Sequence, residues 1–232
     1  MGSRPILRVL LPLALLCVTA SAGAGILDRW NPFLSFETRC EALPAARFEV
    51  VAAPVAFTED YTLSWHDLSA KNERAQINHR TVGLTEARLA YESTIESRGI
   101  EKRGGGRACA TPSIRVVFSA APMVVFVARE YAQDDCRRDM IREHELRHVA
   151  VYRTALREIV QRAERELPAM FGAGLTYARD ADGSQQAMRA RMQEFMRDFM
   201  RARSDDIKAR QADIDTPDEY ARLSRACVNP AS

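Results

Sequence analysis

The sequence predicts an α+β protein in which an N-terminal antiparallel β-sheet region precedes a long antiparallel helical hairpin. Three observations carry that expectation. Between residues 47 and 127 the apolar residues fall in short runs rich in aromatic and β-branched types, broken by Pro54, Pro122 and the glycines 104–106. From Arg138 to Leu167 the chain then runs without glycine or proline, which predicts a helix of about thirty residues. A third stretch, 184–212, gathers Met188, Met192, Phe195, Met196, Phe199, Met200 and Ile207 at helical spacing.

At the N-terminus, residues 1–22 read as a secretory signal peptide. Arg4 and Arg8 come first, an apolar run too short for a bilayer comes next, and Ala20-Ser21-Ala22 supplies small residues for cleavage. Leu16 before Cys17 argues against a lipoprotein. Removing these residues takes two arginines and no acid, so the formal charge falls from +2 to zero. A neutral chain has no overall field to hold nucleic acid or an anionic surface, and no membrane-spanning segment is expected after the signal. The expected setting is periplasmic or secreted.

Residues 23–46 read as an extended lead-in and 47–135 as the β-rich region. RFEVVAAPVAF and YTLSW are expected as short strands. TVGLTEARLAYESTIES fits either period, and its Tyr, Thr and Ile content with the adjoining RGGGR turn favours a strand. IRVVFS and MVVFVAR read as two strands split by Ala121-Pro122, the second of them able to present an edge to an extended peptide. Residues 136–232 hold the hairpin and tail, with helices over 138–167, ending at Pro168, and 184–212, closed by Thr216-Pro217; 47–232 is expected as one domain. The methionines of the second helix read as core filling.

Four cysteines remain after the signal. Their spacing contains no C-x-x-C pair, which argues against a four-cysteine zinc site and for two disulfides with three possible pairings. A hairpin brings the start of its first helix near the end of its second, so Cys136 pairs with Cys227 and leaves Cys40 for Cys109.

The first helix carries His144-Glu145-Leu146-Arg147-His148, an HExxH motif. Side chains at i and i+4 lie on one helix face, so two imidazoles can hold one ion. The glutamate, one residue on, points instead at water on that ion, where it can act as general base. A chance match in a chain this long has a likelihood of roughly one per cent. Only four histidines are present, and two are here. Ile141, His144, His148, Tyr152, Ala155 and Ile159 share one side, so both histidines face inward. The bland reading makes them core histidines bonded to carbonyls, but burying two adjacent imidazoles without partners is costly. Tyr152, one turn beyond His148, is placed either to hydrogen-bond an oxyanion or to pack.

The third ligand is less legible. Val151 and Thr154 stand where a longer histidine pattern needs Gly and His. If the hairpin turns near residue 175, His148 lies opposite about residue 203, and Asp206 shares the sector of Phe195 and Phe199. Asp206 is therefore the expected third ligand and Asp213 the runner-up; pairing of such acids with arginines is the alternative. His66 and His79 read as surface or core residues.

With TVGLT, EHELRHVAVYR, a cysteine just before the motif helix and IDTPDEY near a last cysteine, residues 47–227 resemble proteobacterial periplasmic proteins described as predicted zinc-dependent proteases of the zincin type. That resemblance implies a metallopeptidase with one zinc per chain, His144 and His148 as ligands, and Glu145 as catalytic acid/base. In such relatives an aspartate precedes a threonine by three residues near the C-terminus, as Asp213 precedes Thr216. The expected activity is hydrolysis of peptide bonds in a peptide or protein through a zinc-bound water. The alternative is a non-catalytic cell-envelope binding protein with a structural or vestigial metal site.

Overall fold

A computed structural model describes residues 34–72, 80–172 and 174–227. The signal segment 1–22, residues 23–33 of the lead-in and His79 lie outside the described residues; the rest of the lead-in, expected to be extended, instead holds a helix over Phe36–Glu41, whose Phe36 and Cys40 are buried. The chain divides into two units, Met1–Ser35 and Phe36–Ser232, and the second carries all the elements described below.

Its elements are α1 (Phe36–Glu41), β1 (Arg47–Ala52), β2 (Thr58–Asp60), α2 (Trp65–Lys71), β3 (Gly83–Glu101), β4 (Ala108–Val127), α3 (Asp135–Phe171), β5 (Thr176–Ala178), α4 (Ala181–Ala212) and α5 (Pro217–Ala226). A five-stranded sheet with helices against it makes the architecture mixed α+β.

β4 is the spine of the sheet. β3 pairs antiparallel along its whole length, from Glu101↔Ala108 to Gly83↔Val127. The other edge of β4 carries three short strands in series: β5 at 108–110, β1 at 113–118 and β2 at 124–126. β1 and β2 run parallel to β4, so the sheet is not purely antiparallel as expected. Strand periodicity reports which face is buried and is silent on direction, which is why the sequence missed it. The expected break at Ala121-Pro122 is also corrected, because β4 continues through it over a cis peptide bond. A bulge sits there instead: Ala87 faces Met123 and Leu89 faces Ala120, so two residues of β4 stand opposite Arg88 alone, one more than regular pairing allows. Accordingly, the core-facing set of β4 changes parity, from Ile114, Val116, Phe118 and Ala120 to Met123 and Val125.

YTLSW is not a strand. Ser64 caps α2, with Ser64 Oγ accepting from the Asp67 backbone and the Asp67 carboxylate accepting from the Ser64 backbone. Pro168 does not end α3, which runs on to Phe171. A proline there removes one hydrogen bond in the last turn, while Leu167 and Phe171, both buried, keep that turn against the core.

α3 and α4 lie against the sheet and against each other. Phe118, Val116 and Ile114 from β4 meet Leu156, Ile159 and Leu167 from α3 and Met188, Met192 and Met196 from α4. Leu68, Phe126 and Ala128 form a smaller cluster around α2, joined by Leu84 of β3. Two disulfides close the unit, Cys40–Cys109 and Cys136–Cys227, as the hairpin led us to expect. The second ties the first turn of α3 to the residue that ends α5. No helix among the described residues is long and apolar enough to cross a membrane.

Candidate metal centre

The centre lies in the third and fourth turns of α3. His144, Glu145 and His148 are 4 %, 4 % and 7 % exposed, so the helix buries two imidazoles and a carboxylate within an otherwise apolar face. Burial on that scale demands partners, and each ring nitrogen has one.

Gln211, in the last turn of α4, fixes His148. Its amide Nε2 donates to the His148 backbone carbonyl at 3.3 Å, which orients Oε1 toward the ring. That oxygen then accepts from Nδ1. The Nδ1 proton is thereby committed outward, and the Nε2 lone pair faces inward. For His144 the outward partner is Glu219 of α5, 3.2 Å from Nδ1. Arg147 Nη2 lies 3.1 Å from the same nitrogen but only 2.7 Å from Glu219 Oε1. The shorter, charge-assisted bond takes the guanidinium hydrogen, leaving Nδ1–H to donate to the carboxylate. Arg222 first, with His144 and Arg147, holds Glu219 down at about 2 against the opposing effect of burial.

Inward, both Nε2 atoms meet one carboxylate oxygen. Asp215 Oδ1 is 3.1 Å from His144 Nε2 and 3.2 Å from His148 Nε2, and the two nitrogens are 3.3 Å apart. Partial burial pushes the Asp215 carboxyl up, but the two imidazoles outweigh it and hold the group well below the carboxylate range. His148 is pulled the other way: desolvation lowers it, and Asp215 with Glu145 raises it further than that. With both imidazoles neutral, two nitrogen lone pairs and a carboxylate oxygen converge on one point, an arrangement that a cation can bridge. Ligands about 2.0–2.1 Å from a tetrahedral zinc are spaced roughly 3.3 Å from one another, which the triangle matches. Two imidazoles and one carboxylate suit zinc better than a hard oxygen-seeking ion.

Glu145 stands outside the triangle. One of its carboxylate oxygens lies within 4.8 Å of the histidine donor atoms, farther out than Asp215. Burial raises its pKa, against the neighbouring imidazoles and Thr85. Thr85 Oγ1 donates to Glu145 Oε2 at 2.8 Å. This needs β3 to press on α3, and Gly83 permits it: a Cβ there would stand 2.5 Å from Glu145 Oε1 and 2.6 Å from Ile141 Cγ2.

The expected third ligand is corrected. Asp206 is bound by Arg210 at 2.8 Å, and that arginine also holds Glu158 of α3 at 2.7 Å, so it belongs to a surface ion network. Asp213 is the exposed C-cap of α4. The residue beside the histidines is Asp215, in the turn between α4 and α5. MVVFVAR is not an edge either, since its residues sit in β4 with partners on both sides. The free edge is that of β3, which pairs only with β4 among the described residues. His66 is an exposed residue of α2.

Tyr152 lines the cleft over the centre, as does Tyr220 of α5, which sequence reasoning missed. Burial and the adjacent Asp215, to which it hydrogen-bonds, push the Tyr220 phenol up. Its ring is 6.2 Å from that of His144. A signal for α5 existed: Thr216 as N-cap, Pro217 at the first helical position and Glu219 at the third are helix-start residues.

No protein-family model, curated protein or solved structure matches this chain.

Proposed function

We propose that this chain is an exported zinc metallopeptidase of zincin-like type, in which His144, His148 and Asp215 hold the ion and Glu145 is the general base. The observation that carries the reading is the triangle of two Nε2 atoms and Asp215 Oδ1, with edges of 3.1, 3.2 and 3.3 Å, beside a buried carboxylate outside it. Zinc held there would supply Lewis acidity, polarising a carbonyl and lowering the pKa of a water to about 7.

The chain's own residues do the rest. Glu145, aimed by Thr85, takes the proton of the attacking water and returns it to the leaving amine. Its raised pKa suits a group that must hold that proton between the two steps. Tyr220 and Tyr152 supply phenols on the cleft wall for the carbonyl oxygen as it gains charge. The free edge of β3 gives an extended peptide backbone a row of unpaired donors and acceptors beside Glu145. Two disulfides fit an oxidising compartment outside the cytoplasm.

The competing reading, an envelope binding protein with a structural or vestigial metal, predicts zinc without hydrolysis. Profiling wild type and Glu145→Gln on a peptide library separates the two. The expected result is cleavage by wild type and a loss of about 10²–10⁴-fold in kcat/KM in the variant, with zinc content unchanged. Cleavage unaffected by Glu145→Gln would contradict the mechanism.

A further inference from the structure

We infer that the cleft takes an extended peptide bearing acidic side chains at alternate positions, those that face α2. The inference rests on the peptidase reading for its setting and adds the substrate class.

The cleft has a volume of about 1140 Å³. Small-molecule pockets run to about 300–1,000 Å³, so this one has room for a chain segment. Every residue from Arg80 to Arg88 lines it, which means that the backbone edge of β3 itself forms a wall. A peptide laid along that edge points successive side chains to opposite faces of the sheet. One face is that of Thr85, which meets Glu145 on α3. The other is that of Leu84 and Glu86, which meet α2 through Leu68 and Lys71.

The two faces differ in charge. On the α3 side the cleft holds the Glu145 and Asp215 carboxylates and, from the first turn of α3, Arg137. Elsewhere its charged lining is Lys71, Arg80 and Arg88 against Glu86 alone. Glu86 is taken by Lys71 at 2.9 Å. Arg80 lies over the Trp65 ring of α2 at 4.6 Å, a contact that leaves its charge uncompensated. Arg137 is 3.6 Å from Asp134, an acid outside the lining. Arg88 is exposed and has no acidic partner among the described residues. It is the residue opposite the β4 bulge, on the strand that carries no extra residue. Even-numbered like Leu84 and Glu86, it projects to their face. Uncompensated positive charge from Arg80 and Arg88 thus flanks the β3 edge on the α2 face, opposite the Glu145 and Asp215 carboxylates, and acidic side chains at every second peptide position would meet it.

Fluorescent decapeptides test this, with Glu, Gln or Lys at every second position and Ala or Thr between. They are titrated by anisotropy into zinc-loaded Glu145→Gln protein, which is expected to leave them uncut. The Glu peptide should bind roughly tenfold more tightly than the Gln peptide, and the Lys peptide more weakly than either. Salt should close the gap, because these charges are exposed. Arg80→Gln with Arg88→Gln should remove most of the preference, and Arg88→Gln alone part of it, with the melting temperature unchanged. Equal binding of the three peptides, tighter binding of the Lys peptide, or no binding overturns the inference. Wild-type protein is assayed in parallel for cleavage of the Gln peptide. Charge preference without cleavage sinks the peptidase reading and keeps the docking, whereas cleavage without charge preference does the reverse.

Discussion

Along α3, residues 144–148 and residues 155–167 are buried to nearly the same degree but by opposite means. His144 and His148 are 4 % and 7 % exposed; Leu156 and Leu167 are each 1 % exposed. The later turns meet Met188, Met192 and Met196 of α4 and the side chains of β4, where removing apolar area from water stabilises the contact. The earlier turns gain little that way. Their nitrogens are met by Gln211 at the end of α4 and Glu219 in α5, one Nδ1 each, and by Asp215 in the next turn, whose Oδ1 is shared by both Nε2 atoms. A helix can therefore bury polar side chains only where another segment delivers a matched partner to each. Here that segment is tethered to the start of α3 by Cys136–Cys227. The apolar turns stabilise the fold, and the polar turns are the ones that could hold a metal ion.

Substitutions in the two stretches should separate those roles. Leu156→Ala is expected to cost about 2–5 kcal/mol of stability, read by denaturant melting. Zinc should still bind, since Leu156 lies two turns beyond His148. Gln211→Leu keeps the volume but removes the acceptor that fixes the His148 tautomer. Zinc affinity should fall about 10–100-fold in a chelator competition, while the fold survives. A Gln211→Leu protein with unchanged affinity would mean that the amide only packs. Asp206→Asn is the smallest change. It disturbs an exposed ion network with Arg210 and Glu158, so it should shift stability by less than about 1 kcal/mol and leave zinc binding as it was.

What the sequence made legible has the same division. Helical periodicity located α3, the inward face of His144 and His148, and the methionine face of α4, and from these the pairing of all four cysteines. It failed where period gives no information. Asp215 lies beyond Ala212, the last residue of α4, so counting round that helix picked Asp206 and Asp213, which face elsewhere. The start of α5 was marked by Thr216, Pro217 and Glu219, but a threonine–proline pair also reads as a helix stop, and Tyr220 and Glu219 were lost with it. In the sheet, alternation revealed the strands of β3 and β4. It could not reveal that β1 and β2 run parallel to β4, nor that a bulge joins two runs of opposite parity at Ala121-Pro122.

Zinc content per chain, measured by mass spectrometry of metals on untagged protein, bears most directly on the centre. One zinc per chain is predicted in the wild type and in Asp206→Asn, and its loss in Asp215→Ala and His148→Ala with folding intact by circular dichroism. A metal-free wild type in zinc-supplemented buffer, or an Asp215→Ala protein that binds zinc as tightly as wild type, would contradict it.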